Sequence, residues 1–243
     1  MYISQTNSTN DYLKQHAACD AVWTSWQTAG RGQAGNSWES EKGKNVLLSL
    51  RFRKPEVSVE QQFRLTMAVS LGVYDVVSQL LPNEATAIKW PNDIYIGDRK
   101  VCGILIENTI TGNRIAETIA GVGLNVNQTL WQTDAPNPIS LRQVSGVDYD
   151  LPAVYERLCE TIIERLALLK EPEKLKQYYL DVLYRMGVKA LYARREVNLT
   201  PSRVLTTQTP EAFEATISDV TDQGELVLDN QQKFHFKEIQ FVL

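Results

Sequence analysis

The sequence predicts an α+β fold, in which a mixed β-sheet domain with flanking helices is followed by a small β-barrel. Residues 61–81 form a long, largely apolar stretch with the length of a buried helix. Four short strand patterns separated by turn residues follow within residues 87–125. Near the end of the chain, Phe213, Ala215 and Ile217 alternate with polar residues, which is the period of a β-strand.

The strands are predicted from apolar and β-branched runs that end at turn residues. Turns are expected at residues 91–92, 97–98 and 111–113, where proline, glycine, asparagine and aspartate cluster. The predicted strands are residues 2–5, 21–26, 45–52, 87–90, 93–96, 100–108 and 114–125.

The helices are predicted from start and stop signals. Ser8 is followed three residues later by Asp11, a pattern typical of a helix N-terminus. Pro152 and Pro172 lie in the first turn of two later helices, where the missing N–H costs nothing. Gly187 is predicted to stop the last of them. One helix is predicted to begin at Ser8, and three more are predicted at residues 61–81, 152–170 and 172–186.

The chain is predicted to divide near Gly187 into a large domain, residues 1–187, and a small one, residues 188–243. Beyond Gly187 the pattern changes to short strands, with turn signals at residues 222–224 and 229–230. About fifty residues of short strands are typical of a small closed barrel.

Composition excludes several classes of protein. The 243 residues, 43% hydrophobic and 22% charged, are typical of a globular protein that buries a core without disulfides or metal. Cys19, Cys102 and Cys159 are far apart and odd in number, which predicts reduced thiols in the cytoplasm. His16 and His235 are the only histidines, and no spacing predicts a metal site.

Targeting and nucleic-acid signals are weak. Residues 1–16 lack the charged start and apolar run of a secretory signal, and polar residues interrupt the apolar stretch at 63–81, so no membrane span is expected. The net charge of −4 argues against broad nucleic-acid binding.

A glycine-rich segment, residues 30–35, is the first candidate for a binding site. Its glycines allow a ligand to approach the backbone, whose N–H groups can face an anion. Arg31 adds a planar cation suited to carboxylate or phosphate. On the glycines alone, a flexible surface loop is the better interpretation, because short glycine motifs have many false positives.

Three further segments end or begin predicted strands. In residues 89–93 (Lys-Trp-Pro-Asn-Asp) a rigid turn presents polar groups at a strand end, although a plain turn has the same pattern. Lys100 precedes an apolar strand that contains Gly103, but an isolated lysine at a turn is usually just solvated. Residues 121–127 bring two glycines and Asn125 to a strand end, a weak signal by itself.

The order of these segments is distinctive. Ser8-Thr9-Asn10, then Gln27 with residues 30–32, residues 89–93, Arg99 to Gly103 and finally residues 121–125 resemble the biotin–protein ligase family over nearly the whole chain. The resemblance implies a class II synthetase-like catalytic domain, the biotin–lipoate ligase fold, followed by an SH3-like barrel.

The resemblance also implies roles for individual residues. Lys100 matches a lysine that meets the biotin carboxylate and the α-phosphate of ATP, with Arg31, Asp93 and Lys89 beside it as catalytic residues. The nucleotide is expected near Arg31, Gln33, Asn36, Trp38, Asn92 and Asn125. The biotin site is expected to comprise Ser8, Thr9, Asn10, Gln27, Gly30, Arg31, Gly32, Gln33, Lys100 and Gly103.

The implied reaction uses biotin and ATP as substrates, with Mg²⁺ accompanying the nucleotide. The biotin carboxylate attacks the α-phosphate to give biotinyl-5′-AMP, and a lysine of a biotin carboxyl carrier domain then displaces AMP. No enzyme nucleophile is needed, because positioning and electrostatic stabilisation are sufficient. The family includes monomers and dimers, so a homodimer stays open.

Two departures from the family pattern carry expectations. Gln33, Ala34 and Asn36 replace positions that are often basic in the family, which predicts weaker retention of the adenylate. The first helix begins at Ser8, so the DNA-binding domain of many relatives is predicted to be missing. The C-terminal span is also acidic, through Glu211, Glu214, Asp219, Asp222, Glu225, Asp229 and Glu238.

Two alternatives remain. A biotin-sensing repressor would need a DNA-reading element and a basic surface, which the sequence does not offer. A lipoate–protein ligase would share the fold, but Ser8, Thr9, Asn10 and Gln27 suit the polar ureido ring of biotin better than an apolar dithiolane.

Overall fold

A computed structural model describes residues 1–132, 137–195 and 212–242. The helices are α1 Thr9–Gln15, α2 Phe63–Leu80, α3 Leu141–Ser145, α4 Leu151–Leu166 and α5 Pro172–Asp181. The first six strands are β1 Ala21–Thr24, β2 Val46–Arg53, β3 Thr86–Lys89, β4 Asp93–Ile96, β5 Arg99–Thr111 and β6 Arg114–Leu124. The C-terminal strands are β7 Lys189–Arg194, β8 Ala212–Val220, β9 Leu226–Leu228, β10 Lys233–Phe234 and β11 Ile239–Phe241.

The first six strands form one sheet in the order β1-β2-β6-β5-β4-β3. All its strand pairs in the described residues are antiparallel, so the prediction of a mixed sheet is wrong for the strands themselves. The reason is that β3 to β6 are joined by tight turns, which can connect only antiparallel neighbours. Parallel pairing is confined to isolated bridges such as Tyr2 with Trp23 and Thr6 with Gln27.

The two faces of this sheet bury different helices. On one face α2 and α4 pack over the main core, and buried α2 residues include Leu71 and Val73. On the other face α1 packs through a smaller cluster of Leu13, Val22 and Ile119. Because side chains alternate along a strand, Leu48 and Leu50 of β2 face α2 and α4, whereas Ser49 and Arg51 face α1.

The C-terminal strands form a second, antiparallel sheet in the order β10-β9-β8-β7-β11. Within the described residues, β10 and β11 are its two edges and no pairing closes it into a barrel. The predicted span 188–243 also includes residues 196–211, among them Glu211, which lie outside the described residues. The sheet contacts the turn between β3 and β4 through a hydrogen bond from Trp90 Nε1 to the Gly224 carbonyl at 3.0 Å.

The predicted elements agree with the structure where the signal is local. The helix at 61–81 is confirmed as α2, and residues 152–170 form α4 with a short 3₁₀ helix, Ala167–Lys170, at its end. No helix in the described part of the chain has both the length and the apolar character needed to cross a membrane.

Other predictions are corrected. The strand at 2–5 is reduced to a bridge at Tyr2. The helix at 172–186 ends at Asp181, because the following residues pair with β3, where Tyr184 N donates to the Ile88 carbonyl at 2.8 Å. Gly187 adopts a left-handed backbone conformation with φ 68°. It does not end α5 as predicted, because that helix already ends at Asp181.

Gly72 lets α2 approach α4 closely, and we predict that Gly72→Ala destabilises the fold. A methyl group there would lie 2.7 Å from the Ile162 Cα atom, in backbone that cannot move cheaply. Overpacking costs about 1–3 kcal/mol, and the better helix propensity of alanine offsets about 1 kcal/mol of it. Urea titration should therefore show a lower free energy of unfolding.

The matched control is Ser70→Ala, in the same helix. The buried Ser70 hydroxyl has no hydrogen-bond partner in the described residues, so its removal should leave the free energy of unfolding unchanged or raise it. Equal stability of Gly72→Ala and the parent protein would contradict this account of the helix contact.

Candidate active site

A cavity of about 600 Å³ opens on the α1 side of the six-stranded sheet. Every residue predicted to bind or to act catalytically lines it, except Gly30. Those residues are Ser8, Thr9, Asn10, Gln27, Arg31, Gly32, Gln33, Asn36, Trp38, Lys89, Asn92, Asp93, Lys100, Gly103 and Asn125. Gly30 lies directly behind the lining, where its carbonyl accepts a hydrogen bond from Trp38 N at 2.9 Å.

The start of α1 forms one end of the cavity. Ser8 is the N-cap, and its hydroxyl accepts a hydrogen bond from Asp11 N. Gln27 Oε1 accepts two hydrogen bonds from Thr9, from the backbone N at 2.7 Å and from Oγ1 at 3.0 Å. With its oxygen engaged in this way, the Gln27 carboxamide turns its Nε2 toward Gly30.

Asn10 is buried beside this pair and touches three strands. Its Nδ2 donates to Glu107 Oε2 at 2.7 Å, and Ser49 Oγ donates to its Oδ1 at 2.5 Å. Gly121 provides the space, since a methyl group there would collide with Asn10 Oδ1. This end of the cavity is therefore a closed network of hydrogen-bonding side chains.

The glycine-rich segment covers the mouth of the cavity near α1. Arg31 Nη2 forms ion pairs with Asp11 Oδ1 at 2.6 Å and with Glu107 Oε2 at 3.3 Å. Gly32 N donates to the Asn36 carbonyl at 2.7 Å, which closes the segment on itself around a short 3₁₀ helix. The segment is thus tied to α1 by the Arg31–Asp11 ion pair.

The Trp38 indole lies across the floor of the cavity. Methyl groups on Gly103 and Gly123, which are register partners in β5 and β6, would lie within 2.7 Å of the indole ring. The buried Nε1 of Trp38 has no hydrogen-bond partner in the described residues. Lys100 Nζ lies 5.5 Å from the ring centroid, within the range of a cation–π interaction.

The opposite end of the cavity is cationic. Lys100 Nζ forms an ion pair with Asp93 Oδ1 at 2.7 Å, and both side chains are only partly exposed. Burial lowers the pKa of Lys89, and the neighbouring cations Lys100, Arg185 and Arg195 lower it further, whereas Asp93 acts in the opposite direction. The concentration of positive charge suits an anionic ligand.

Two asparagines flank this cationic end. Asn92 Nδ2 donates to the Ile104 carbonyl at 2.7 Å, and Asn125 Nδ2 donates to the Ile139 carbonyl at 3.1 Å. Asn125 Oδ1 is buried and has no hydrogen-bond partner in the described ranges. A buried acceptor without a partner is costly, so Asn125 is ready to accept a hydrogen bond from a ligand.

The match to a known family covers the strands that build this cavity. The model of the biotin/lipoate A/B protein ligase family matches residues 2–125, just over half of the chain. The chain belongs to the biotin/lipoate A/B protein ligase family. The resemblance to biotin–protein ligases inferred from the motifs is thereby confirmed.

Individual members of the family are similar over different lengths. The biotin–[acetyl-CoA-carboxylase] ligase of Mycobacterium tuberculosis is 30% identical over 237 residues, covering 93% of this chain and 82% of that protein. The bifunctional ligase/repressor BirA of Bacillus spizizenii is 33% identical over 163 residues, 64% of this chain. That match spans only about half of the Bacillus protein's length.

The fold of the family extends over the whole chain. A biotin protein ligase from Aquifex aeolicus, solved in complex with biotin and ATP, superposes with a TM-score of 0.76 at 21% identity. The comparison covers 100% of this chain and 98% of that one. At this identity the superposition establishes the fold, including the presence of the C-terminal sheet.

Several residues that line the cavity belong to no motif in the sequence. Arg195 and Phe236 reach the cavity from the C-terminal sheet, and Trp131 reaches it from the segment after β6. No local pattern marks these residues, because they come from parts of the chain distant in sequence. Ser49 lies behind the lining, where it hydrogen-bonds to Asn10, and it could have been found because it interrupts the apolar strand β2 with a small hydroxyl.

We predict that Asp93→Asn lowers the pKa of Lys89 below its value in the parent protein. Asp93 is the carboxylate that raises this pKa against the effect of burial, so its neutralisation removes the opposing contribution. NMR titration of ¹³C-labelled lysine side chains measures the change. Asp98→Asn, in the neighbouring turn, is the control and should leave Lys89 unchanged; an unchanged or raised pKa in Asp93→Asn would contradict the assignment.

Proposed function

We propose that this chain activates biotin with ATP to form biotinyl-5′-AMP and transfers the biotinyl group to a lysine of a biotin carboxyl carrier domain. One observation carries the proposal: a single cavity joins an uncharged hydrogen-bonding end at α1 to a cationic end at Lys89 and Lys100. Biotin has a polar ring system at one end and a carboxylate at the other. Its polarity fits that arrangement, with the carboxylate directed to the cations.

The α1 end supplies complementary partners for a ureido group. A ureido group has two N–H donors and one carbonyl acceptor, and each needs a partner when it is buried. Asn10 Oδ1 and Thr9 Oγ1 are acceptors, and Gln27 Nε2 is a donor. Ser8 and Gly32 complete this end of the lining.

The cationic end supplies stabilisation for the first step. A carboxylate oxygen of biotin attacks the α-phosphorus of ATP, the bond to the bridging oxygen breaks, and pyrophosphate leaves. Lys100, oriented by Asp93, holds the carboxylate against the α-phosphate and stabilises the charge that develops there. Lys89 adds positive charge at this end, and Arg31 adds a cation from the glycine-rich segment on the α1 side. Asn92, Asn125, Asn36, Gln33 and Trp38 surround the nucleotide.

The second step needs no further group from the enzyme. The amine of the carrier lysine attacks the acyl carbon of biotinyl-AMP, the C–O bond to AMP breaks, and a proton leaves the nitrogen. The enzyme holds the mixed anhydride away from water until the carrier arrives. The glycine-rich segment, which begins at Gly30, forms the wall over the biotin chain, and Gly103 lies at the floor of the cavity under Trp38.

Mg²⁺ fits this site as a companion of the nucleotide. In the described residues no three potential ligand side chains come together, and the cavity lining offers the carboxylates Asp93 and Glu39. Phosphate oxygens and water would be the main ligands, with Asp93 nearby, which is how Mg²⁺ commonly binds with nucleotides. When bound, the ion neutralises charge on the phosphates.

The C-terminal sheet is proposed to be an SH3-like barrel, residues 188–243, that completes the nucleotide end of a catalytic domain formed by residues 1–187. Arg195 and Phe236 support that role, since both line the cavity. We place the enzyme in the cytoplasm, where ATP and carboxylase carrier domains are available and where Cys19, Cys102 and Cys159 stay reduced.

The proposal is tested by transfer of biotin, compared with lipoate, to a purified carrier domain in the presence of ATP and Mg²⁺. Mass spectrometry should show the addition of a biotinyl group to the carrier and no addition of a lipoyl group. Transfer of lipoate in preference to biotin would overturn the proposal, as would a failure to release pyrophosphate with either acid.

In the same assay we predict that Lys100→Ala lowers the rate of biotinyl-AMP formation about 100-fold or more, by analogy with other single electrostatic groups. Circular dichroism should show an intact fold, because the Lys100 side chain is partly exposed. Lys174→Ala, which removes a lysine from an exposed ion pair, is the control and should retain normal activity. Normal pyrophosphate release by folded Lys100→Ala would contradict the role of Lys100.

A further inference from the structure

We propose that Glu107 is a positioning residue that fixes the orientation of the Asn10 carboxamide and thereby makes the ring-binding end of the cavity selective for a ligand with N–H donors. The proposal rests on the proposed function and extends it to the residue behind the site. Glu107 is absent from the cavity lining, and it acts through Asn10.

Glu107 lies where β5 passes beneath α1. Its Oε2 accepts a hydrogen bond from Asn10 Nδ2 at 2.7 Å, and its Oε1 accepts one from Lys14 Nζ at 2.8 Å. Arg31 lies within 3.4 Å of the same carboxylate. Burial alone would raise the pKa of Glu107, but the hydrogen bonds from Lys14 and Asn10 and the charges of Lys14 and Arg31 lower it overall. The carboxylate is therefore ionised near neutral pH.

An ionised carboxylate can only accept hydrogen bonds. If the Asn10 carboxamide were rotated by 180°, its oxygen would face the Glu107 oxygens, which repel it. Glu107 Oε2 would then lose the hydrogen bond from Asn10 Nδ2, and Asn10 Oδ1 would lose the one from Ser49 Oγ. Glu107 therefore fixes the NH₂ group of Asn10 toward β5. The Oδ1 atom must then face Ser49 and the space above Gly121.

The fixed orientation has a consequence for the ligand. A carbonyl oxygen has two lone pairs, so Asn10 Oδ1 can accept a ligand donor in addition to Ser49 Oγ–H. A ring with an N–H group satisfies it, whereas a dithiolane leaves it unpaired. Sites built to hydrogen-bond one group strongly reject analogues that lack it. Asn10 could present either its NH₂ group or its oxygen to the cavity, and Glu107 ensures that it presents the oxygen, a hydrogen-bond acceptor.

The ion pairs of Glu107 with Lys14 and Arg31 are a separate effect. The Lys14 and Arg31 side chains are 44% and 41% exposed, and such surface pairs contribute little to stability. If Glu107 acted only through them, its loss would loosen the glycine-rich segment without changing which ring is preferred. Ligand discrimination is therefore the measurement that separates positioning from a merely structural role.

The experiment compares the parent protein with Glu107→Ala and Glu107→Gln, using biotin and its two N-methylated ureido isomers as ligands. Binding is measured by calorimetry, and KM values for biotin and ATP by pyrophosphate release. Glu107→Ala should raise the KM for biotin about 10-fold or more, in line with the loss of a charge-assisted hydrogen bond, with the KM for ATP within about two-fold of the parent. Glu107→Gln, whose amide oxygen can still accept from Asn10, should recover part of the loss.

The decisive measurement is the ratio of the affinities for biotin and for one N-methylated isomer, the isomer that the parent protein binds more weakly. That preference should fall about 10-fold in Glu107→Ala, since Asn10 Nδ2 then keeps only its longer hydrogen bond, 3.4 Å, to the Leu105 carbonyl, and should persist in Glu214→Gln. Glu214 lies in an exposed ion pair with Lys189 on the C-terminal sheet and serves as the matched control.

The outcomes separate the two proposals. If the parent protein forms biotinyl-AMP, but Glu107→Ala leaves the biotin affinity and the ligand preference unchanged, the role of Glu107 is overturned and the proposed function stands. An equal rise in the KM values for biotin and ATP, or the same loss in Glu107→Ala and Glu107→Gln with the preference intact, also overturns it. A parent protein that binds no biotin overturns the proposed function and this inference together.

Discussion

The site depends on the close approach of side chains to the backbone of β5 and β6. Gly103 and Gly123 are register partners, and Gly121 lies opposite Leu105. Trp38 rests on the first two, and Asn10 fits against the third. Any larger residue at these positions would fill the cavity from below, because in a strand the side chains of one face project into the same space. The glycines therefore determine that this face of the sheet is concave.

The remaining architecture supports that concave face. The hydrophobic side chains of α2 and α4 cover the opposite face, which leaves the α1 side available for polar groups. Helix α1 is short, and its C-terminal end is held by Arg51, whose guanidinium donates to the carbonyls of His16, Ala17 and Cys19. The start of α1 is thereby fixed above the glycines, where Thr9 and Asn10 enter the cavity.

The two ends of the cavity differ in chemistry because different elements build them. At α1 the neutral side chains of Thr9, Asn10 and Gln27 line the cavity, and their hydrogen bonds to one another and to Glu107 set their orientations before a ligand arrives. At the strand ends, the positive charge of Lys100 lowers the pKa of Lys89 beyond the effect of burial, and Asp93 only partly compensates. A bound anion would relieve that repulsion, which makes this end suited to phosphates and a carboxylate.

Most of the elements and most of the lining can be predicted from local patterns of residues. The glycine-rich segment, the residues from Lys89 to Asp93 and the strand of Lys100 carry motifs that are contiguous, so their place in the cavity could be anticipated. The bridge between Leu183 and Ile88 and the hydrogen bond from Asn10 to Glu107 could not. They join residues distant along the chain, and no periodicity records which strand lies beneath which helix. The sheet was predicted as mixed because strand direction is also a property of the tertiary pairing.

The most direct test of the central claim is a crystal structure with a non-hydrolysable analogue of biotinyl-AMP. We expect the ureido ring to lie against Thr9, Asn10 and Gln27, and the phosphate to lie within hydrogen-bond distance of Lys100. We expect the adenine to lie near Asn125. An analogue bound in the reverse direction, with adenine at α1, or bound outside this cavity, would contradict the account.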